Sequence, residues 1–285
     1  MSPSSPFVSP AWLSQNLKRD DLVILDGTFF LPVMKRDAAA EFLESHIPGA
    51  QFCDLEKISD PDKTRPHMLA SNELFAKAVA SMGISNDHQV IVYDQSGLFS
   101  APRLWWTFRV YGHKNVQILQ GGLKAWKTAN LPIEVGASAA AQPQDFTANL
   151  DESQVRNADD MLALIDNKKE QIVDARSRGR FAGTDPEPWP GRVPGHMNGA
   201  FNLPHVDVLN NETQELKSVG EIRAAFEAEG VDLSKPIVTS CGSGVTASTL
   251  ALALYVAGIN DVAIYDASWS EWGLPENGFP IISDA

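Results

Sequence analysis

The sequence is poor in basic residues and in long apolar runs. It has 23 Lys and Arg against 36 Asp and Glu, which gives a formal net charge of −13. This balance disfavours nucleic acid or an anionic membrane as the main partner, because both require clustered positive charge. No run approaches the roughly 18 apolar residues that cross a bilayer, and the first residues lack the basic and apolar regions of a signal peptide. We therefore expect a cytoplasmic protein.

Cysteine is also scarce, with only Cys53 and Cys241 in the chain. Two cysteines without a secretion signal indicate free thiols in a reducing compartment. Cys53 follows an apolar patch and is predicted to be an inert buried residue. His88, His113 and His205 have no partners at metal-ligand spacing, so we expect neither a metal site nor a cofactor.

A chain of 285 residues is long for one domain, and the sequence repeats itself. Short apolar strands alternate with helix patterns in both halves, which predicts an α/β fold with mainly parallel sheets flanked by helices. Four landmarks recur in the same order at spacings of 146 to 150 positions, namely Asp26 and Asp174, His46 and His196, Gly83 and Gly230, and Trp126 and Trp272. We predict two tandem domains, 1–136 and 151–285, joined by a linker at 137–150.

One stretch in the second half carries the chemistry. The apolar run 237–240 is followed by Cys241, a loop containing two glycines, and a helix pattern that begins at Ala247. A helix start offers unpaired N–H groups and a partial positive charge, which stabilise a thiolate. Cys241 is therefore predicted to be a nucleophile in an anion-binding loop. An offset of 146 places Gln95 opposite Cys241, which predicts that the first domain is not catalytic.

These features resemble the two-domain rhodanese-type sulfurtransferases, and within that family the mercaptopyruvate-using enzymes. The resemblance rests on 46–50 (HIPGA), on 196–200 (HMNGA), on the loop 241–247 (CGSGVTA) and on 269–273 (WSEWG). It implies two rhodanese-like domains. It also implies that sulfur passes from 3-mercaptopyruvate to Cys241 as a persulfide, and then to cyanide or to a thiol acceptor such as thioredoxin.

The resemblance also implies roles for individual residues. Arg180 corresponds to the arginine that binds the donor, and the loop residues that follow the nucleophile are expected to contact the substrate: Gly242, Gly244, Val245 and Thr246. The family often has a second arginine after Glu-Pro. Here that position is Trp189, and the nearest cation is Arg192, which we expect to take its place. A relay of Ser243, His67 and Glu56 is expected to assist proton transfer.

Three alternatives are weighed against this interpretation. A cysteine phosphatase would need an arginine six residues after the nucleophile, where Ala247 stands, and is largely discarded. A non-catalytic rhodanese-like binding module would usually lack the cysteine. A thiosulfate:cyanide sulfurtransferase is the nearest rival, although relatives that prefer thiosulfate carry cations where this chain has Gly242 and Ser243.

Overall fold

The chain forms two units, each built around its own parallel sheet. The structure, a computed structural model, describes residues 5–62 and 64–284. The first unit takes in the described residues of Met1–Pro61, Leu69–Asp151 and Glu212–Glu215. The second takes in those of Asp62–Met68, Glu152–Asn211 and Leu216–Ala285. Each unit therefore includes a short segment from the other half of the sequence.

The first unit has a sheet of five strands with helices between them. Its strands are β1 (Phe7–Val8), β2 (Leu22–Asp26), β3 (Gln51–Phe52), β4 (Gln89–Tyr93) and β5 (Val116–Leu119). Its α-helices are α1 (Pro10–Asn16), α2 (Ala38–Glu44), α3 (Leu55–Ile58), α4 (Asn72–Ser81), α5 (Ala101–Val110) and α6 (Gly122–Thr128). A 3-10 turn covers Pro32–Met34. The strands lie in the order β1-β5-β4-β2-β3.

The second unit has the same plan. Its strands are β6 (Val155–Arg156), β7 (Gln171–Asp174), β8 (Phe201–Asn202), β9 (Ile237–Ser240) and β10 (Val262–Tyr265). Its α-helices are α7 (Ala158–Asn167), α8 (Arg178–Ala182), α9 (Val219–Ala228), α10 (Ala247–Val256) and α11 (Ser268–Trp272). Short 3-10 turns cover Glu152–Gln154, His205–Val208 and Pro275–Asn277. The order β6-β10-β9-β7-β8 is that of the first sheet.

The shared strand order confirms the predicted fold class. All the strand pairs within both sheets are parallel. The carboxyl ends of parallel strands meet at one edge of a sheet, and the loops that leave this edge form the usual ligand site of an open α/β sheet. In the second unit, the loop after the central strand β9 contains Cys241.

Tryptophans at equivalent places anchor the two cores. Trp126 and Trp272 are fully buried. Trp126 donates through Nε1 to the carbonyl of Pro132 at 2.7 Å, and Trp272 donates to that of Pro280 at 3.0 Å. A buried indole needs such a partner because its N–H loses water on folding. The repeat predicted from the sequence therefore extends to side-chain hydrogen bonds.

The two repeated histidines hold turns. His46 stacks on Phe42 with ring centroids 3.9 Å apart, and its Nδ1 lies 2.8 Å from the Phe42 carbonyl oxygen. His196 stacks on Phe181 at 4.0 Å, with Nδ1 2.9 Å from the Phe181 carbonyl oxygen. Each histidine thus ties the turn that follows it to a helix, α2 in the first unit and α8 in the second.

The stretch 137–150 packs against the first unit. Phe146 is buried in an aromatic cluster with Phe75 and Phe108. The backbone of Thr147 exchanges two hydrogen bonds with the side chain of Asn86, at 2.7 and 2.9 Å. The segment that connects the two sheets therefore has its own packing contacts. Among the described residues, no helix is long and apolar enough to span a membrane.

Candidate active site

Cys241 lies directly after β9, at the start of a tight loop that leads into α10. The residue is only 2% exposed. Gly244 has a φ of +77°, a left-handed conformation that a side chain would disfavour. This turn brings the start of α10 close behind the cysteine, where the helix dipole favours negative charge. The sequence places nucleophile, glycine turn and helix start in the order that the structure requires.

The first turn of α11 fixes the backbone of this loop. Ser268 Oγ accepts the N–H of Cys241 at 3.1 Å. The carbonyl of Cys241 accepts the N–H of Trp269 at 3.0 Å, and the carbonyl of Gly242 accepts that of Ser270 at 2.7 Å. Ser268 itself has a φ of +52°, so its unusual backbone conformation accompanies this contact. Three hydrogen bonds thus hold the nucleophile in register with α11.

The backbone N–H groups of the loop are open. Among the described residues, those of 242–246 donate to no protein acceptor. Buried N–H groups are nearly always paired in folded proteins. A group of N–H donors at a helix start is therefore suited to hold an anion, such as a thiolate or the longer anion that forms when the thiolate gains a sulfur atom.

The equivalent loop in the first unit shows which residue replaces the cysteine. Asp26, the last residue of β2, pairs with Tyr93, and Asp174, the last residue of β7, pairs with Ser240. Tyr93 and Ser240 are therefore structurally equivalent. The residues that follow them are Asp94 and Cys241. The prediction that Gln95 stands opposite Cys241 is therefore wrong by one position. The spacing between equivalent residues varies along the chain, so an offset taken from distant landmarks does not apply at this loop. Here the strand register fixes the offset at 147.

Asp94 fills its own loop. Its Oδ2 accepts the N–H groups of Phe99, Ser100 and Ala101 at 3.0, 2.8 and 2.8 Å. Gly97 has a φ of +96° and corresponds to Gly244 at the same offset. Burial raises the pKa of Asp94, and the N–H bonds to its carboxylate oppose that shift. The first unit thus has an anion-binding loop whose anion belongs to the chain itself.

Arg180 borders the Cys241 loop. A Cβ added to Gly242 would lie 3.0 Å from Arg180 Nη2, so the absence of a side chain at Gly242 leaves room for the guanidinium. Arg180 Nη2 also pairs with Glu187 Oε2 at 2.5 Å. The Arg180 side chain is 18% exposed and Glu187 only 2%. A partly exposed guanidinium that one carboxylate orients can bind a second, incoming carboxylate.

Arg176 has a structural role in a buried network of ion pairs. Its side chain is fully buried and pairs with Asp174 at 2.7 Å and with Glu187 at 2.8 Å. Its guanidinium lies over the ring of Trp269, 4.0 Å from the centroid. Glu187 therefore links this buried arginine to Arg180. No sequence motif indicated that role for Glu187.

Arg192 makes three hydrogen bonds to backbone carbonyls. Nε donates to Ser270 at 3.1 Å, Nη1 to Pro190 at 2.8 Å and Nη2 to Thr64 at 2.8 Å. A guanidinium has five N–H donors, so these bonds use three of them. These three bonds already orient the guanidinium of Arg192, and the predicted contact with the donor competes with them.

His67 and Ser243 come together as the resemblance implied. His67 Nδ1 lies 3.0 Å from Ser243 Oγ, and both residues are buried. Trp189, which stands where the family often has an arginine, contacts His67 edge to face with ring centroids 6.1 Å apart. Trp189 thus places an aromatic ring beside His67, at the position where the family often has a cation.

Glu56 and Cys53 belong to the first unit. Glu56 lies in the first turn of α3 and is half-buried, and its place in the relay stays a prediction from the resemblance. Cys53 is 1% exposed, and burial raises the pKa of its thiol to about 12. Such a thiol stays protonated at neutral pH and is a poor nucleophile. Within the part of the chain that the structure describes, no cluster of His, Cys, Asp and Glu is arranged to hold a metal ion.

Two tandem α/β units, one with a cysteine in an open anion-binding loop, define a class of protein, and the chain belongs to it: the rhodanese-like domain family matches residues 9–129 and 157–274. Each match covers four of the five strands of one sheet together with its α-helices. The predicted resemblance is thereby confirmed.

The relatives narrow the class further. The chain is 44% identical to 3-mercaptopyruvate sulfurtransferase of Mus musculus, over 97% of this chain and 95% of that protein. It is 42% identical to thiosulfate sulfurtransferase of Bos taurus, over 93% of this chain and 91% of that protein. The crystal structure of SseA from Escherichia coli, a 3-mercaptopyruvate sulfotransferase by its description, superposes with a TM-score of 0.85 at 38% identity, covering 94% of this chain and 100% of that one. These similarities confirm the prediction of a sulfurtransferase.

Proposed function

We propose that the protein transfers sulfur from 3-mercaptopyruvate, through a persulfide on Cys241, to a thiol or cyanide acceptor and releases pyruvate. The observation that carries this proposal is the open loop, whose N–H groups at 242–246 have no protein acceptor among the described residues. The mouse relative, named for mercaptopyruvate, supports the choice of donor.

The proposed reaction has two halves. The Cys241 thiolate attacks the sulfur of the donor, an S–S bond forms, and the C–S bond of the donor breaks. The electron pair of that bond passes to carbon as the enolate of pyruvate, which takes up the proton that the donor thiol loses. The outer sulfur then passes to cyanide, giving thiocyanate, or to a thiolate such as that of thioredoxin. Either transfer restores the Cys241 thiolate.

The residues around the loop have distinct parts in this scheme. The N–H groups of Gly242, Gly244, Val245 and Thr246 hold the negatively charged sulfur. Arg180 binds the carboxylate of the donor, since its guanidinium borders the loop and remains partly exposed. The donor contact expected of Arg192 from the sequence would use the two N–H donors that its three carbonyl bonds leave; the scheme does not depend on it.

A proton relay completes the proposed site. Ser243 and His67 are within hydrogen-bond distance of each other, and a hydroxyl polarised by imidazole can pass a proton to a developing enolate. Glu56 is the predicted acid of this relay. His67→Gln should lower kcat for mercaptopyruvate roughly 100-fold, the usual scale of general acid–base assistance. An unchanged kcat would remove His67 from the scheme.

The second candidate is transfer from thiosulfate, which the bovine relative supports by its name. The experiment that decides is a comparison of kcat/KM for the two donors with the same acceptor. We expect mercaptopyruvate to be the better donor, because the positions after the nucleophile are Gly242 and Ser243 and offer no cation to a dianion. A higher kcat/KM for thiosulfate would overturn the choice of donor and leave the persulfide intact. Absence of transfer from both donors would favour a binding module.

The remaining parts of the proposal concern organisation. We assign the nucleophile and the donor contacts to 151–285, a connecting role to 137–150, and to 1–136 a domain without a nucleophile of its own, since Asp94 fills the loop of the first sheet. His67 lies in 1–136 by sequence but belongs to the second unit. No cofactor enters the scheme.

Two free thiols support a reducing, cytoplasmic setting. Cell fractionation tests this placement, and recovery in an oxidising compartment would contradict it.

A further inference from the structure

The segment that carries His67, residues 64–68, is held in an unusual conformation. His67 has a φ of +66°, in the left-handed region that favours glycine. That conformation is disfavoured for a residue with a Cβ, because the Cβ approaches the backbone too closely. Such a conformation persists only where the surroundings determine the backbone, and it often marks a functional site. The contacts that impose it therefore bear on the position of the imidazole.

One contact comes from Arg192. Its Nη2 donates to the carbonyl of Thr64, three residues before His67, at 2.8 Å. Its Nε donates to the carbonyl of Ser270, in α11, at 3.1 Å. The rigid plane of one guanidinium thus spans the gap between residues 64–68 and α11. A lysine could not make both contacts in this geometry, because its ammonium is a single point at the end of a flexible chain.

A second contact also ends on α11. Arg65 Nη1 pairs with Glu271 Oε1 at 2.9 Å, and the Tyr265 hydroxyl donates to Glu271 Oε2 at 2.8 Å. The Arg65 side chain is 39% exposed and that of Glu271 14%, so solvent weakens this pair. The neutral carbonyl contacts of Arg192 depend less on screening by salt. Arg192 is therefore the better candidate for the residue that fixes this segment.

The same helix holds the nucleophile. Ser268, Trp269 and Ser270 bond the backbone of Cys241 and Gly242. α11 is thus a common support for the nucleophile loop and for the segment with His67, and Arg192 joins the two at Ser270.

We propose that Arg192 is a positioning residue of sulfur transfer, which sets His67 against Ser243 by bonding the carbonyls of Thr64 and Ser270, and that it does not bind the donor. The proposal rests on the sulfurtransferase function proposed above. The competing interpretation is the donor contact expected from the sequence. It has a physical basis, because among the described residues Arg192 forms no ion pair with a carboxylate.

The two interpretations predict opposite kinetics. For Arg192→Lys and Arg192→Ala we expect kcat with mercaptopyruvate to fall about 10-fold or more, with KM changed less than about twofold, because a small misplacement of a catalytic group is costly. A KM increase of roughly 10-fold with unchanged kcat would instead make Arg192 a donor ligand and overturn the proposal. Arg178→Lys is the matched control, since Arg178 lies in the same unit and its side chain is 56% exposed. Its kinetics should match those of the unchanged protein.

A double-mutant cycle tests whether the effect passes through His67. In a His67→Gln background, Arg192→Lys should change kcat less than about twofold, because the group it positions is gone. A further full 10-fold loss in that background would mean that Arg192 acts by another route and would overturn the proposal.

The last readout does not require activity. The imidazole ¹⁵N and ¹H signals of His67, identified by their absence in His67→Gln, should shift or broaden in donor-free Arg192→Lys and stay in place in Arg178→Lys. Unchanged His67 signals in a folded Arg192→Lys protein, checked by its thermal unfolding, would refute the proposal. Loss of sulfur transfer from both donors in the unchanged protein would refute the proposed function alone, since the His67 signals still report on Arg192.

Discussion

The two halves of the chain build the same loop and put different residues in it. In the first unit the residue after the central strand is Asp94, whose carboxylate accepts three N–H groups from its own loop. In the second unit it is Cys241, and the N–H groups of 242–246 have no protein acceptor in the described part of the chain. A carboxylate oxygen and the outer sulfur of a cysteine persulfide each lie two bonds beyond Cβ. The Asp94 carboxylate thus mimics, in the first loop, the persulfide anion that the second loop is proposed to hold.

This difference shows that the backbone of the loop can be the same in both repeats while the residue that it surrounds differs. Strand, glycine turn and helix start are common to both loops and come from the fold. The side chain at one position decides whether the N–H groups of the loop are bonded by the chain itself or are left for another anion.

The largest effect should come from removing the nucleophile. Cys241→Ala should abolish donor-dependent sulfur transfer, because no other thiol lies in an open anion-binding loop. Thiocyanate production from cyanide is the measurement. Cys53→Ala is the matched control, since Cys53 is buried and belongs to the first unit, and it should retain activity. Full activity in Cys241→Ala would contradict the claim that the second loop differs from the first by holding the nucleophile.

Removing the cation beside the open loop should have the next largest effect. Arg180→Ala should lower kcat/KM for mercaptopyruvate roughly 100-fold, mainly through KM, because a charged hydrogen-bonded contact with the donor carboxylate is lost. Steady-state kinetics with a fixed acceptor measure this change. Arg178→Ala, two residues away and exposed, should behave like the unchanged protein. If both substitutions leave KM and kcat alone, Arg180 does not bind the donor.

Emptying the first loop should affect stability more than activity. Asp94→Ala should lower the free energy of unfolding by about 1–3 kcal/mol, because buried N–H groups lose their acceptor. Chemical denaturation measures the loss. Added sulfate should restore part of it in the variant and not in the unchanged protein, since the vacated loop offers N–H groups to an anion.

The pH dependence of that loss follows from the raised pKa of Asp94. A carboxyl with a raised folded-state pKa stabilises the fold fully below its unfolded pKa, about 3.9, and loses that contribution as pH rises through the folded value. The gap between Asp94→Ala and the unchanged protein should therefore narrow from acid to neutral pH. A gap that widens over that range, or no rescue by sulfate, would contradict the assignment of the loop.

The smallest effect concerns the second cysteine. Burial raises the pKa of Cys53 to about 12, so its thiol should resist iodoacetamide at pH 8 while the protein is folded. Mass spectrometry of the labelled peptides measures this, and unfolding in denaturant is the positive control. Rapid labelling of Cys53 in the folded chain would contradict its assignment as an inert core residue.

Much of the fold could be predicted from the sequence. Alternating strand and helix patterns and the landmarks at near-constant spacing indicated two parallel sheets. The glycine turn after an apolar run indicated the loop at Cys241. These are local signals, since each depends on residues that are close in sequence.

The remaining features depend on distant pairings. The equivalence of Asp94 with Cys241 required the strand register, because the repeat spacing varies by a few positions along the chain. The link from Glu187 to Arg180 joins a loop to α8 without any regular spacing that would indicate it. The contact of Trp189 with His67 joins segments that are far apart in sequence, and no periodicity predicts their approach. Arg192 illustrates the same limit: its charge suggested a substrate contact, but three backbone carbonyls already orient it.

The central claim is that sulfur is bound in the second loop and not elsewhere. The most direct measurement is mass spectrometry of the whole protein and its peptides after treatment with mercaptopyruvate or with thiosulfate, before any acceptor is added. We predict the gain of one sulfur atom on the peptide that contains Cys241, formed more efficiently from mercaptopyruvate and lost on addition of cyanide. A sulfur atom on Cys53, or none on Cys241 with either donor, would contradict this account.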